Sequence, residues 1–464
     1  MINKNSFFQR FSSLLGSKRF VGWITPDRLK LYPPHIPILL LIGWSVSQVM
    51  GPGLLDATGS IIGSDFIAFY TAGKFYLSGQ MDKLYDLSAQ YVFQKSIVSP
   101  LIYKGYCPYV NPPFVAPLFS LFANGSYVSG LILWWLFGLL LIFLSVLRLR
   151  SEMVVLKNRS IPKLLYLCFL FPSTLIWFTY AQNTPISLIL YVLFFIFLRR
   201  RKDLIAGVAL GLLLFKPQLA LAPGLIVLIN RRWSSFIGVI IGSGIWITTG
   251  LITTPKVLIN YFQISQYLPN MLRLKPEVSK LTHFLGFDTS QLISPVWGIH
   301  SFFGFWSLLL DNVSTKSANV LYVITILSGV AYLSKVWSKL KWKPATKSWD
   351  LGVAGTFSLG LLLSPHLFTY DLMLLMLPMA IVWNHYPCGT GDRPLDGGLL
   401  LFWAALLYIT TFVGPVVTLA QVKAYRLMGL YPKFALQFST LILLGWAFAV
   451  LSVADGDKDM ITPL

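Results

Sequence analysis

The sequence predicts an all-α integral membrane protein of about twelve transmembrane helices, with amphipathic juxtamembrane helices in its first outer loop. Three observations carry that expectation. The 464 residues are 55% hydrophobic and 12% charged, with a mean hydropathy of +0.68, so lipid solvates most of the chain. Apolar runs of about 15–20 residues recur along its length. The basic residues that give the net charge of +20 gather at the ends of those runs, at Arg199 to Lys202, Arg231–Arg232 and Lys335 to Lys347. That is the pattern of cytoplasmic span ends, and it removes the case for a nucleic-acid partner.

In chain order, residues 1–35 read as a basic cytoplasmic segment with an interfacial helix and no cleavable signal peptide. The first span runs from Ile36 to Met50 and stops at Gly51-Pro52-Gly53. A long outer loop, residues 54–125, follows. In it Phe66, Phe69, Tyr70, Gly73 and Leu77 recur at helical spacing, opposite Asp65, Thr71 and Lys74. This predicts a helix lying on the membrane surface, with Ser64 as N-cap and Asp65 in the first turn, held ionised by the helix dipole. Pro112-Pro113 forbids a regular helix interior, and Ala116 to Phe122 dips back toward the membrane.

Spans are then expected at Tyr127 to Leu147, Leu164 to Phe178 and Ile186 to Leu198, the last two meeting outside at Ala181-Gln182-Asn183-Thr184. Leu204 to Phe215 and Leu219 to Ile229 form a short apolar hairpin around Lys216-Pro217-Gln218. Phe236 to Ile252 precedes a second outer region, residues 253–316. The remaining spans are placed at Ala318 to Ser334, Leu351 to Leu363, Leu372 to Trp383, Leu399 to Val413 and Phe434 to Val453. The whole chain reads as a single membrane-embedded domain with both termini cytoplasmic. Its three scattered cysteines, Cys107, Cys168 and Cys388, support neither a disulfide framework nor a metal site, and no cofactor motif is present.

One topology places Asp65, Pro112-Pro113, Gln182-Asn183, Lys216 and His366 on the same side of the membrane. Each has an ordinary reading: a helix cap or interfacial acid for Asp65, Asp86 and Asp371, a snorkelling Lys216, an interfacial His366, turn chemistry for Gln182 and Asn183. Together they suit transfer of a sugar from a lipid phosphate. The leaving phosphate is already a stable anion and wants cations, supplied by Lys216 and His366. The acceptor hydroxyl wants one base, Asp65, where a glycoside hydrolase uses a carboxylate pair. A lysine at membrane depth is itself a functional signal.

At these residues the chain resembles the family-87 glycosyltransferases of the GT-C superfamily. The motifs are Ser64-Asp65-Phe66 with Tyr70 and Ala72-Gly73, Leu84-Tyr85-Asp86, Asn111-Pro112-Pro113, Gln182-Asn183, Ala206-Gly207 through Lys216-Pro217-Gln218, and Ser364-Pro365-His366 with Tyr370-Asp371. The resemblance implies an inverting transferase with Asp65 as the catalytic aspartate and a polyprenyl-phosphate sugar donor, mannose or an arabinofuranosyl counterpart. Lys216 and His366 would bind the donor phosphate. Tyr70, Tyr85, Asp86, Asn111, Gln182, Asn183, Gln218, Tyr370 and Asp371 would line the substrates, and an envelope glycolipid or glycan on the outer face of the plasma membrane would be the acceptor. One departure is Ala181, where the family favours glycine. A secondary transporter or glycolipid flippase, transfer of a non-sugar group, and a structural scaffold are the alternatives.

Overall fold

In the computed structural model the described residues are 33–103, 105–253, 257–266, 268–273, 295–387, 395–427 and 436–456. The N-terminal interfacial helix, most of the centre of the second outer region, Cys388 and the acidic tail fall outside them. The described chain is helical, with only isolated bridges between Leu55 and Ile61 and between Ile299 and Phe368.

Helix α1 (His35–Met50) ends at Gly51. The loop that follows carries α2 (Phe66–Leu77), α3 (Leu87–Val98) and α4 (Ala116–Ala123). Next come α5 (Tyr127–Glu152), α6 (Ile161–Leu170), α7 (Pro172–Tyr180), α8 (Thr184–Arg199), α9 (Asp203–Gly211), α10 (Pro217–Ile229) and α11 (Trp233–Thr253). The rest comprises α12 (Val257–Ser265), α13 (Phe302–Leu310), α14 (Thr315–Lys339), α15 (Lys347–Leu363), α16 (Met376–His385), α17 (Leu395–Leu427) and α18 (Phe438–Gly456). Among the described residues four helices, α5, α11, α14 and α18, are long and apolar enough to cross a membrane, or five if α6 and α7 count as one broken span. α17 is longer but counts as an apolar helix only over Gly397–Thr411, and the remaining apolar helices are shorter, so among the described residues the expected twelve crossings are not matched by twelve helices of spanning length.

Three expectations need correction. The helix at Phe66 does not lie on a surface: every residue from Phe66 to Gly73 is buried. Phe69 stacks on Phe119 with ring centroids 4.4 Å apart, and a Cβ on Gly73 would come within 2.7 Å of the Phe119 carbonyl. The supposedly polar Thr71 turns inward and donates to the Ile67 carbonyl at 2.7 Å. Second, Asp65 rather than Ser64 holds the N-cap position, and its side chain makes no capping bond. Third, the span expected over Leu164 to Phe178 breaks at Phe171, where α6 and α7 meet at 76°. Pro172 supplies no N–H and pushes Phe171 to an extended ψ of 117°.

The core centres on α8 and α15. Residues Trp349 to Leu362 are buried on every side of α15, as expected of a helix that is apolar all round. Tyr191 and Phe194 of α8 pack on Phe357, and Phe195 stacks on Trp349. α9 and α11 meet through small residues: a Cβ on Gly207 would strike the Ser235 carbonyl, and one on Gly242 the Val208 carbonyl. Gly207/Gly211 and Gly238/Gly242 are each spaced four apart, which lets two backbones approach in lipid.

The basic end of the bundle is tied by ions. Arg199 bridges Asp350 at 3.2 Å and Glu152 at 3.6 Å, Arg200 also pairs with Glu152, and His385 meets Asp350 at 2.9 Å. These contacts join α5, α8, α15 and α16 at one level. The opposite ends of the same helices open into the loops that carry the site.

Candidate active site

Four breaks in helical structure converge at the end away from the arginines. The first is the entry to α2 at Asp65. The second is the α7–α8 turn at residues 181–183. The third is the junction where a 3-10 turn over Leu212–Phe215 gives way to Lys216 and Pro217. The fourth is the segment from Ser364 into the 3-10 turn Asp371–Leu375. Proline follows the break at Lys216 and again at Thr184, and a missing N–H at a helix start costs nothing.

Asp65 is fixed at both ends. Its backbone N–H donates to the Tyr180 carbonyl at 3.0 Å, and its Oδ2 accepts from Gln182 Nε2 at 2.7 Å. Gln182 Nε2 also lies 3.3 Å from the Tyr370 hydroxyl, while its Oε1 accepts the Asn183 N–H at 3.1 Å. The other carboxylate oxygen faces Cys107 Sγ at 3.9 Å. Burial pushes the Asp65 carboxyl up to about 6, and the nearby Asp371 charge adds to this. Gln182, Lys216 and the thiol pull the other way without cancelling the desolvation. The dipole-stabilised, low-pKa carboxylate expected from the sequence is therefore corrected: the group titrates close to neutrality, which suits a base.

The turn bearing Gln182 depends on Ala181, whose φ is 55° and ψ 48°. This left-handed conformation favours glycine, yet this chain places an alanine there. Here the alanine is retained by its surroundings, with Trp134 Nε1 donating to its carbonyl at 2.8 Å and Trp177 Nε1 to that of Gln182 at 2.6 Å.

Lys216 is buried and paired. Its Nζ lies 2.9 Å from Asp371 Oδ1, and Thr184 Oγ1 donates to the same oxygen at 2.9 Å. The ammonium also sits 5.9 Å from the centre of the Tyr370 ring, so Asp65, Gln182, Tyr370, Lys216 and Asp371 form one connected cluster. His366 stands beside it, its Nε2 2.9 Å from Gln218 Nε2. A carboxamide nitrogen donates, so Nε2 accepts and the ring proton sits on Nδ1. Burial lowers the His366 pKa to about 4, with Lys216 acting in the same direction and Asp371 opposing. The second cation anticipated from the sequence is thus a neutral imidazole in this state, able to donate through Nδ1.

The remaining anticipated residues support the walls. Tyr70 donates to the Gly125 carbonyl at 2.9 Å and Tyr85 to the Asn111 carbonyl at 2.6 Å. Asp86 is exposed and caps α3 by accepting the Ala89 N–H at 3.0 Å. These contacts brace the outer loop and do not join the Asp65 cluster. Asn183 is 1% exposed, and its side-chain amide makes no hydrogen bond among the described residues.

Several residues of consequence carry no motif. Buried Gln94 clamps Cys107 by its carbonyl at 2.7 Å and its N–H at 3.1 Å, and Gln90 accepts the Tyr109 N–H at 2.8 Å. These two glutamines of α3 deliver the thiol to Asp65, and burial keeps that thiol protonated. His300 pins the segment that bears His366. Its backbone N–H donates to the Leu367 carbonyl at 2.7 Å, and its ring meets Thr369 Oγ1 at 2.9 Å and the Ser439 hydroxyl. Burial holds its pKa near 3, so it is a neutral strut. A lone glutamine or histidine amid apolar sequence was the only available signal.

Gln182→Ala tests the support of Asp65. Removing a bond that favours the ionised carboxylate raises its pKa further. We expect the acidic limb of the pH–rate profile to move up from about 6, with a lower plateau. An unmoved limb would assign Gln182 to bulk packing alone.

The fold and cluster define a membrane-embedded helical protein with one tunable buried carboxylate beside a lysine–aspartate pair. The sequence model of glycosyltransferase family 87 matches residues 109–365. The chain belongs to that family, and the family indicates glycosyltransferase activity. The matched stretch holds Gln182, Lys216 and Gln218, whereas Asp65, His366, Tyr370 and Asp371 lie outside it. No curated protein and no solved structure matches the chain.

Proposed function

We propose that this protein is an inverting glycosyltransferase that moves a sugar, mannose by preference, from a polyprenyl-phosphate donor to an envelope glycolipid or glycan. The reaction would take place on the outer face of the plasma membrane. The observation that carries this reading is the buried Asp65 carboxylate, held by Gln182 and, among the described residues, not paired with a cation, beside an ammonium that Asp371 already holds. In the step proposed, Asp65 takes the proton of the acceptor hydroxyl as its oxygen bonds to C1 of the sugar from the face opposite the phosphate. The C1–O bond to phosphate breaks and its electron pair leaves with the polyprenyl phosphate. Lys216 and the Nδ1–H of His366 would meet the charge that develops there. Asp371 and Thr184 hold Lys216 in place before the donor arrives.

Reconstitution of the purified chain in proteoliposomes tests this. Polyprenyl-phosphate mannose, polyprenyl-phosphate arabinofuranose and a nucleotide sugar are offered with extracted envelope glycolipids, and products are read by mass spectrometry and anomeric NMR. Transfer with inverted configuration from a lipid-phosphate donor is expected. Transfer from the nucleotide sugar would overturn the donor assignment. Passage of the lipid-linked sugar across the bilayer without transfer would point to a flippase instead.

A further inference from the structure

A cavity lies away from the cluster around Asp65. It is a partly open cleft of about 730 Å³ between α5, α6, α16, α17 and α18. It begins in mid-bundle at Met376 and reaches the basic end at Leu156, Leu164, Tyr386 and Gly397. Its length along α16 is about 15 Å, from the rise per residue of an α-helix. The break at Phe171–Pro172 creates it: α6 swings by 76° from the line of α7, so that Leu164, Leu167 and Leu170 wall a gap.

The lining is almost wholly apolar. The Tyr408 hydroxyl is already engaged with the carbonyls of Pro33 at 2.6 Å and Leu170 at 2.9 Å. Such a cleft offers water few partners and suits a hydrocarbon chain. Two kinds of chain are at hand in a bilayer: an isoprenoid from the donor and an acyl chain of an ordinary lipid. None of Asp65, Gln182, Lys216, His366 or Asp371 lines the cleft. The 3-10 turn Asp371–Leu375 leads from the site to the lining Met376, whose Sδ lies 3.9 Å from Thr174 Oγ1.

The rim at the basic end chooses the headgroup. Lys157 and Lys163 are exposed, and each is the chain neighbour of a lining leucine, Leu156 and Leu164. Lys347 reaches over the ring of the lining Tyr386 at 4.6 Å. The acids described at this end are engaged with other bases: Glu152 and Asp350 with Arg199, Arg200 and His385, Asp203 with Arg232, and Asp455 with Lys339. We infer that the cleft binds an anionic phospholipid from the leaflet at the basic end. Its acyl chain lies between α6, α16 and α17, and its phosphate meets Lys157 and Lys163. The inference does not depend on the donor or acceptor assigned above.

The test uses the purified full chain in nanodiscs containing phosphatidylglycerol or phosphatidylcholine with a diazirine in the acyl chain. Wild-type labels are expected on residues 376–386 and 397–409, with phosphatidylglycerol labelling the more strongly. Ala404→Trp, which fills the cleft, should remove most of that labelling. The Lys157→Ser/Lys163→Ser double variant should weaken phosphatidylglycerol labelling about fivefold or more and leave phosphatidylcholine unaltered. Equal labelling by the two lipids, or labels scattered over other helices, would overturn the inference. Displacement of the label by polyprenyl phosphate would do so too, making the cleft the donor's tail channel. The wild-type map and that competition decide the matter even if Ala404→Trp does not fold.

Discussion

Asp65→Asn is expected to leave the fold intact and to cut transfer by about 10²–10⁴-fold, the range a positioned general base supplies. Asparagine keeps an oxygen to accept from Gln182 Nε2, so the turn at Ala181 and the orientation of the side chain survive. What disappears is the group that takes the proton. In the wild type the rate should fall as the pH drops through about 6, because the protonated acid cannot serve as base. Stability runs the other way. The folded carboxyl holds its proton up to about pH 6, whereas the unfolded one releases it near 3.8. Folding therefore loses free energy as the pH rises through that window, by at most about 3 kcal/mol at 1.36 kcal/mol per unit. The asparagine variant escapes this cost, so it should melt no lower than wild type at pH 7.5. Thermal unfolding and a pH–rate series measure both sides. An inactive variant that also fails to fold would leave Asp65 a structural residue, and a variant of wild-type rate would remove it from the chemistry.

The helical, lipid-solvated character was legible because composition and apolar run length are collective properties that single contacts do not disturb. So was the nearness of Asp65, Gln182, Lys216 and His366, since a shared side of the membrane already restricts which loops can meet, whereas Tyr370 and Asp371 were expected only along the substrates and instead join Gln182 and Lys216 directly. The errors came from contacts that hydropathy does not encode. A 12-residue helix with Asp65, Thr71 and Lys74 along it reads as amphipathic, yet α4 and α5 cover it on the far side and Thr71 bonds its own backbone. The breakage of the third span hangs on one proline whose effect depends on whether neighbours fill the gap. The partners of Lys216 were also hidden. Lysine at depth signals a site, but only the fold shows that Asp371, 155 residues away, holds it. At Ala181 the sequence left the geometry of the turn open, and the structure settles it with an alanine in the left-handed region.

Lys216→Met is expected to be the most destabilising single change at the site. It leaves Asp371 buried, with 5% of its side chain exposed and, among the described residues, the Thr184 hydroxyl as its remaining side-chain hydrogen-bond donor. Removing one partner of a buried ion pair costs about 3–5 kcal/mol, mostly for the orphaned charge. Replacing both partners by neutral groups of similar size is far gentler. Lys216→Met/Asp371→Asn should therefore recover most of the lost melting temperature. If Lys216 is there to meet a departing phosphate, the double variant will still be slow, because no ammonium remains to stabilise the leaving group. The two readouts separate cleanly. Recovery of both stability and transfer would make the pair an element of architecture and remove Lys216 from the reaction. Recovery of neither would mean the cluster couples to the fold through more than this ion pair. Stability regained without rate is the signature of a lysine held in reserve by Asp371 until a more strongly charged partner enters the site.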